Sequence, residues 1–224
     1  MSLPIHPGRP FAAFLFDMDG TVLTSIAATE RVWGAWGLRH GLDLDAFLPT
    51  IHGVRARETI GRLGLPGIDL DAEVAALTQA EMDDLEGIAP IDDARRFLLS
   101  LPADRWAIVT SAPRRLAERR LMAAGLPLPP LMVSGEDVAH GKPAPDCFLL
   151  GAEKLGVSIT DCLVFEDAPA GIGAAEAAGA PVVVISATHR HPMSTPHPAV
   201  SGYDALDAYL RADGALELRA RELV

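Results

Sequence analysis

The chain has 224 residues, 49% hydrophobic and 22% charged, a globular composition with room for one large domain or a core plus a smaller insert. Its formal net charge of -11 argues against nucleic acid, which binds basic faces, and against an anionic membrane surface. It leaves a small anionic substrate open, because local charge and a metal override the global field.

In chain order, MSLPIHPGRP lacks the charged-then-apolar pattern of a secretory leader, and FAAFLF is too short to span a membrane. FAAFLF reads as a buried strand that ends in DMDGT. From Val22 to Ala89 no strand is evident. The stretch reads as helices, AATERVWGAWGLRHG, RARETIGRLG and LDAEVAALTQAEMDDLEG, ended by Gly41, Gly64 and Gly87. A parallel crossover needs only one helix, so this stretch is predicted to be an inserted helical cap. Then strands and helices alternate. DDARRFLLSL precedes the strand WAIVTS, PRRLAERRLMAAG follows it, and LMVSG comes next. APDCFLLGAEKLG precedes CLVFED, and AGIGAAEAAG separates that run from PVVVIS. Continuous apolar strands are the mark of parallel strands buried on both faces. The expected fold is α/β, with a doubly wound parallel-sheet (Rossmann-like) core of residues 1–21 and 90–224 and an α-helical cap of residues 22–89. THRHPMSTPHPAV, with three histidines among prolines, is expected to be a loop rather than a metal site. Cys147 and Cys162 fit neither CxxC nor a zinc ligand set. No disulfide framework and a reducing, cytoplasmic setting are therefore expected.

Four strand ends carry the chemistry. Asp17 and Asp19 leave the first strand on the same side, at the edge where open α/β sheets bind ligands, and Gly20 permits a sharp turn behind them. Thr110 and Ser111 end the second strand ahead of Pro113, where hydroxyls and a helix start make either an anion cradle or a simple N-cap. Lys142, in HGKPAPD, lies in a rigid loop from which it can neutralise acids or a phosphate. Glu166 and Asp167 end the strand CLVFED. Four acids at one edge repel one another unless a cation sits among them, and an oxygen-rich, cysteine-free set suits Mg2+.

The segments DMDGT, VTS, GKPAPD and FEDAPAGI, in that order and spacing, resemble the haloacid dehalogenase (HAD) superfamily of phosphatases, and the helical insert falls where that family carries its cap. The resemblance implies an aspartyl-phosphate enzyme. Asp17 would be the nucleophile, Asp19 the acid and then base, and Lys142 the balancing charge. Thr110, Ser111 and the backbone N–H of Ala112 would hold the phosphate with Lys142. Mg2+ would be bound by Asp17, Asp167 and the Asp19 carbonyl, with Glu166 a ligand or the support of one. The substrate implied is a small phosphomonoester, with no nucleic acid, membrane or protein partner evident.

Within the family, Asp19 separates the chain from haloalkanoate dehalogenases, which lack this acid. The absence of lysine between Val22 and Ala89 separates it from phosphonatases, which use one. Thr21 and the histidine-free helix ATERVWGAWG count against a β-phosphoglucomutase-like mutase, which remains the alternative, together with a catalytically silent binding protein on the same fold. IHGVRARETI, PADRWAIVTSAPRRLA and VFEDAPAGIGAAEAAGA resemble the sugar-phosphate, glycerol-phosphate and 2-deoxyglucose-6-phosphate phosphatases. A Mg2+-dependent phosphatase of small phosphorylated sugars or polyols is therefore the leading expectation. His52, Arg55, Arg57 and Glu58 are the expected substrate contacts from the cap, and Trp33 and Trp36 are expected to pack it. Ala112 departs from the glycine that several relatives carry after the serine.

Overall fold

The computed structural model describes residue 6 and residues 8–221. The chain opens with β1 (Pro10–Phe11) and the buried strand β2 (Ala13–Phe16). A short strand, β3 (Leu23–Thr24), leads into four helices, α1 (Ile26–Arg39), α2 (Leu44–Phe47), α3 (Ala56–Leu63) and α4 (Leu70–Asp83), and β4 (Ala89–Pro90) leads back. There follow α5 (Ala94–Ser100), β5 (Trp106–Val109), α6 (Arg114–Ala123), β6 (Met132–Val133), α7 (Asp146–Lys154), β7 (Cys162–Glu166), α8 (Pro169–Ala178) and β8 (Val182–Ile185). Three more strands, β9 (Ala199–Val200), β10 (Leu206–Leu210) and β11 (Leu216–Ala220), complete the described chain. Among the described residues no helix is long and apolar enough to cross a membrane.

The central sheet has six strands in the order β6-β5-β2-β7-β8-β9, all paired in parallel. Its residues alternate between two cores. Phe14 and Phe16 of β2, Ile108 of β5, and Leu163 and Phe165 of β7 meet Phe97 and Leu98 of α5 and Leu121 of α6 on one face. Ala13 and Leu15, Ala107 and Val109, and Cys162 and Val164 meet Phe148 of α7 and Ala174 and Ala175 of α8 on the other. Both faces are covered, which is why these strands read as unbroken apolar runs. Burying each of the large side chains stabilises the fold by about 1.5–3 kcal/mol. Parallel pairing also puts the ends of β2, β5 and β7 on one edge, so Asp17, Thr110 and Asp167 emerge together.

The cap has its own core of Trp33, Trp36, Phe47, Ile51, Ile60 and Leu77. Trp33 and Trp36 meet edge-on with ring centroids 5.9 Å apart. Asp43 and Asp69 start α2 and α4 by accepting backbone N–H bonds from the first turn. Gly64 ends α3 with a left-handed φ of 58°. Gly87, expected to end α4, does not. That helix stops at Asp83 because Asp84 turns extended and Arg31 grips its carboxylate at 2.7 and 2.8 Å. Both connections to the core run side by side, β3 pairing antiparallel with β4 through Leu23–Pro90 and Thr24–Ala89.

Strands β10 and β11 form a hairpin turning at Gly214 (φ 83°), and β1 adds to β11. Leu206, Leu216 and Leu218 thereby close the core beside Tyr203. The histidine-rich segment is a loop up to β9. His189 Nε2 lies 2.8 Å from the Asp167 carbonyl and His197 Nε2 lies 2.7 Å from Glu176, so the two serve separate partners.

Candidate active site

Strand β2 delivers Asp17 and then turns sharply. The Met18 carbonyl accepts the N–H groups of Thr21, Val22 and Leu23 at 3.3, 2.9 and 3.2 Å. The turn needs a positive φ at Gly20, where it is 89°. It also needs the missing side chain, since a Cβ there would stand 2.0 Å from Asp167 Oδ2. Thus one glycine brings the ends of β2 and β7 together.

Lys142 is 1% exposed. Its Nζ donates to Asp17 Oδ1 at 2.5 Å, to Glu166 Oε1 at 2.7 Å and to the Val109 carbonyl at 3.1 Å. Glu166 is engaged on both oxygens, because Oε2 accepts the N–H groups of Asp167 and Ala168 at 2.9 and 3.1 Å. Gly171 leaves room for it; a Cβ there would stand 1.6 Å from Glu166 Oε1. Asp167 is 6% exposed, and its carboxylate receives one hydrogen bond, from Thr21 Oγ1 at 3.3 Å.

Three buried carboxyl groups therefore face one ammonium. Burial pushes Asp17 up to about 8, with Glu166 adding to the rise and Lys142 opposing it. Burial, then Glu166 and Asp17, raises Asp167 well above the usual carboxylate range. Burial alone would lower Lys142, yet Asp17 and Glu166 outweigh it and hold the ammonium charged. Both partners shift upward because acid is in excess: the lysine keeps its proton, and a carboxyl takes another unless a cation arrives. Asp17, Glu166 and Asp167 bring one oxygen each within 4.8 Å of the others. A buried all-oxygen set short of donors fits a hard divalent ion. The engaged oxygens of Glu166 make Asp17 and Asp167 the more available pair.

Asp19 stands beside the cluster with its Oδ1 bonded by Ser25 Oγ at 2.5 Å and Arg120 Nη1 at 3.0 Å. Across the opening, Thr110 Oγ1 accepts the Ala112 N–H at 3.0 Å, and Ser111 Oγ donates to the Gly53 carbonyl of the cap at 2.8 Å. The cleft between cap and core has a volume of about 70 Å³, with Asp17, Asp19, Thr110, Ser111 and Ala112 on the core side and Trp33, His52 and Glu81 on the cap side.

The cap residues divide. His52 lines this cleft, and burial lowers its pKa. Arg55 is spent on the loop ahead of Lys142, donating to the carbonyls of Gly135, Val138 and Ala139 at 3.1, 2.9 and 2.9 Å. Glu58 accepts the Gly141 N–H at 3.0 Å and pairs with Arg55. Arg57 does not reach the cleft: it is exposed and pairs with Asp71 on the cap surface. Arg120 and Glu81 are additions to the residues singled out from sequence. Each carried a signal, for Arg120 falls among the buried Leu116, Ala117 and Leu121 of α6, and Glu81 one turn beyond the buried Leu77 of α4.

Fold and candidate site together describe a capped α/β protein with carboxylates of Asp17 and Glu166 held by one buried lysine at the sheet edge. The chain belongs to the haloacid dehalogenase-like hydrolases, whose family profile matches residues 11–179. It is 41% identical to hexitol phosphatase A of Escherichia coli over 187 residues, covering 82% of this chain and 85% of that protein. It is 30% identical to glycerol-1-phosphate phosphohydrolase 2 of Saccharomyces cerevisiae, covering 79% and 75%. Among solved structures, a hydrolase from Pseudomonas syringae superposes with a TM-score of 0.70 at 28% identity, covering 79% of this chain and 85% of that one.

Proposed function

We propose that this chain is a Mg2+-dependent phosphatase of small phosphorylated sugars or polyols, with residues 22–89 acting as the cap that selects the substrate. The observation that carries the reading is the Asp17 carboxylate, buried at the floor of a small capped cleft, with one oxygen fixed by Lys142 at 2.5 Å and the acid/base candidate Asp19 beside it. The names of the hexitol and glycerol-1-phosphate relatives support the substrate class.

Asp17 attacks phosphorus with the oxygen Lys142 does not hold, and the ester P–O bond breaks as Asp19 gives its proton to the leaving oxygen. Asp19, now ionised, takes a proton from water, which attacks the aspartyl-phosphate and frees Asp17 and phosphate. Lys142 keeps Asp17 aimed and offsets negative charge as the phosphoryl group moves. Thr110, Ser111 and the Ala112 N–H are the donors on the phosphate side, and Ser111 must exchange its bond to the Gly53 carbonyl for that role. Asp17, Asp167 and the Asp19 carbonyl, with Glu166 behind them, would hold Mg2+, which would supply charge neutralisation. The cap excludes water from the closed cleft. Two free, buried cysteines, Cys147 and Cys162, agree with action in the cytoplasm.

The test is phosphate release across sugar, polyol and nucleotide monophosphates, with and without Mg2+, beside the Asp17→Asn protein. Turnover of the sugar or polyol esters that requires both metal and Asp17 is expected. Isomerisation without free phosphate would point to a mutase, and equal turnover by the Asp17→Asn protein would overturn the mechanism.

A further inference from the structure

Arg120 is a core residue whose side chain is 5% exposed and lies across the gap between sheet edge and cap. Its Nη1 donates to Asp19 Oδ1 at 3.0 Å, and its Nη2 donates to Glu81 Oε1 and Thr29 Oγ1 at 3.0 Å each. Its Nε is buried without a partner among the described residues. Glu81 also accepts Trp33 Nε1 at 3.3 Å. Thr29, Trp33 and Glu81 belong to α1 and α4 of the cap, whereas Asp19 and Arg120 belong to the core.

Resting on the phosphatase reading, we propose that Arg120 is the positioning residue for Asp19, and that Glu81 holds Arg120 in place when the cap is closed. The geometry assigns the two oxygens of Asp19 different tasks. Oδ1 accepts both Ser25 and Arg120. Two donors on one oxygen fix the plane of the carboxyl and leave Oδ2 as the edge that meets the leaving group. Proton transfer needs that edge within hydrogen-bond reach of the ester oxygen, and a small misplacement of an aligned group is costly. A planar guanidinium satisfies Asp19, Glu81 and Thr29 at once, which a lysine ammonium at the same site would not match in geometry. Because Glu81 and Thr29 travel with the cap, an open cap deprives Arg120 of two of its three partners. The proton donor is thus best ordered when the cleft is shut.

A merely structural ion pair between cap and core would affect every substrate alike, whereas a misplaced acid matters only where the leaving group needs its proton. The Arg120→Met protein should therefore be compared with the unaltered protein on glycerol 1-phosphate or a hexitol phosphate, and on p-nitrophenyl phosphate, whose phenolate leaves unaided. The quantity to read is kcat/KM, which covers the steps through cleavage of the ester. The aliphatic ester is expected to lose on the order of 10²-fold, within the range of general acid catalysis, and the aryl ester only a few-fold. Glu81→Gln, which keeps shape and one acceptor, should shift the same ratio less far and serves if Arg120→Met does not fold. Equal losses on both esters, or no loss on either, would overturn the assignment. Failure of the unaltered protein on both esters would instead count against the phosphatase reading, and the inference would fall with it.

Discussion

Metal and protons should compete for the same carboxyl cluster, and the competition has a slope. In the metal-free protein Asp17 is raised from 3.8 to about 8, Asp167 is raised as well, and Lys142 stays charged. At pH 7 the cluster accordingly holds at least one proton beyond that of the lysine. A divalent ion must displace it, so at least one proton leaves per ion bound. Below pH 8 the apparent affinity for Mg2+ should then tighten at least tenfold per pH unit, or about 1.4 kcal/mol for each proton released. Stability runs the same way. A carboxyl whose pKa is raised by folding favours the folded state most below 3.8, and that contribution is lost as pH rises toward 8. Mg2+ offsets the loss, so the rise in Tm it causes should grow from pH 6 to pH 8. Calorimetric titration with Mg2+ in buffers of different ionisation enthalpy counts the protons directly. A flat affinity across pH 6–8 with no proton release would refute the electrostatic picture of the cluster.

Lys142→Met should lower kcat/KM on the order of 10²–10³-fold, the scale of losing one preorganised charge-stabilising donor, as read by phosphate release. Gly20→Ala drives a Cβ into Asp167 at 2.0 Å and strains a φ of 89°. It should cost about 1–3 kcal/mol in urea unfolding and weaken Mg2+ binding. His52→Ala should raise KM, because His52 lines the cleft, while Arg57→Ala should leave KM unchanged, because Arg57 pairs with Asp71 outside it; steady-state kinetics on one substrate compares the two. Phe165→Ala removes a ring stacked 4.6 Å from Phe16 in the buried sheet and should destabilise by about 3–5 kcal/mol in chemical denaturation.

How much was legible in the sequence depended on whether a pattern had one physical meaning. The runs AFLF, WAIV and CLVFE are buried on both faces, and continuous apolar strands followed by helices have few other packings. The acids at their ends were legible for the same reason, since a strand end fixes where a side chain leaves the sheet. The C-terminal hairpin is less legible, although Asp213-Gly214 between alternating segments is a turn signal. It needs β1, some 200 residues earlier, to complete its sheet. The cap arginines were ambiguous because a charged helix face looks alike toward solvent, a loop or a cleft; Arg55 turns to the loop ahead of Lys142 and Arg57 to Asp71 on the cap surface. Arg120 was hidden by the opposite effect, an ionic residue within an apolar stripe whose partner, Glu81, lies 39 residues away.

The position of β2 has a consequence for biosynthesis. Phe14 sits opposite Trp106 on one side and Leu163 on the other, so this fully buried strand of the sheet leaves the ribosome long before either neighbour exists. At about 5–20 residues per second its second neighbour follows only after roughly 7–30 s. The cap core, drawn wholly from residues between Trp33 and Leu77, is complete well before then. A nascent chain would therefore carry a folded cap beside a bare, aggregation-prone strand, a state in which chaperone contact would be directed to FAAFLF.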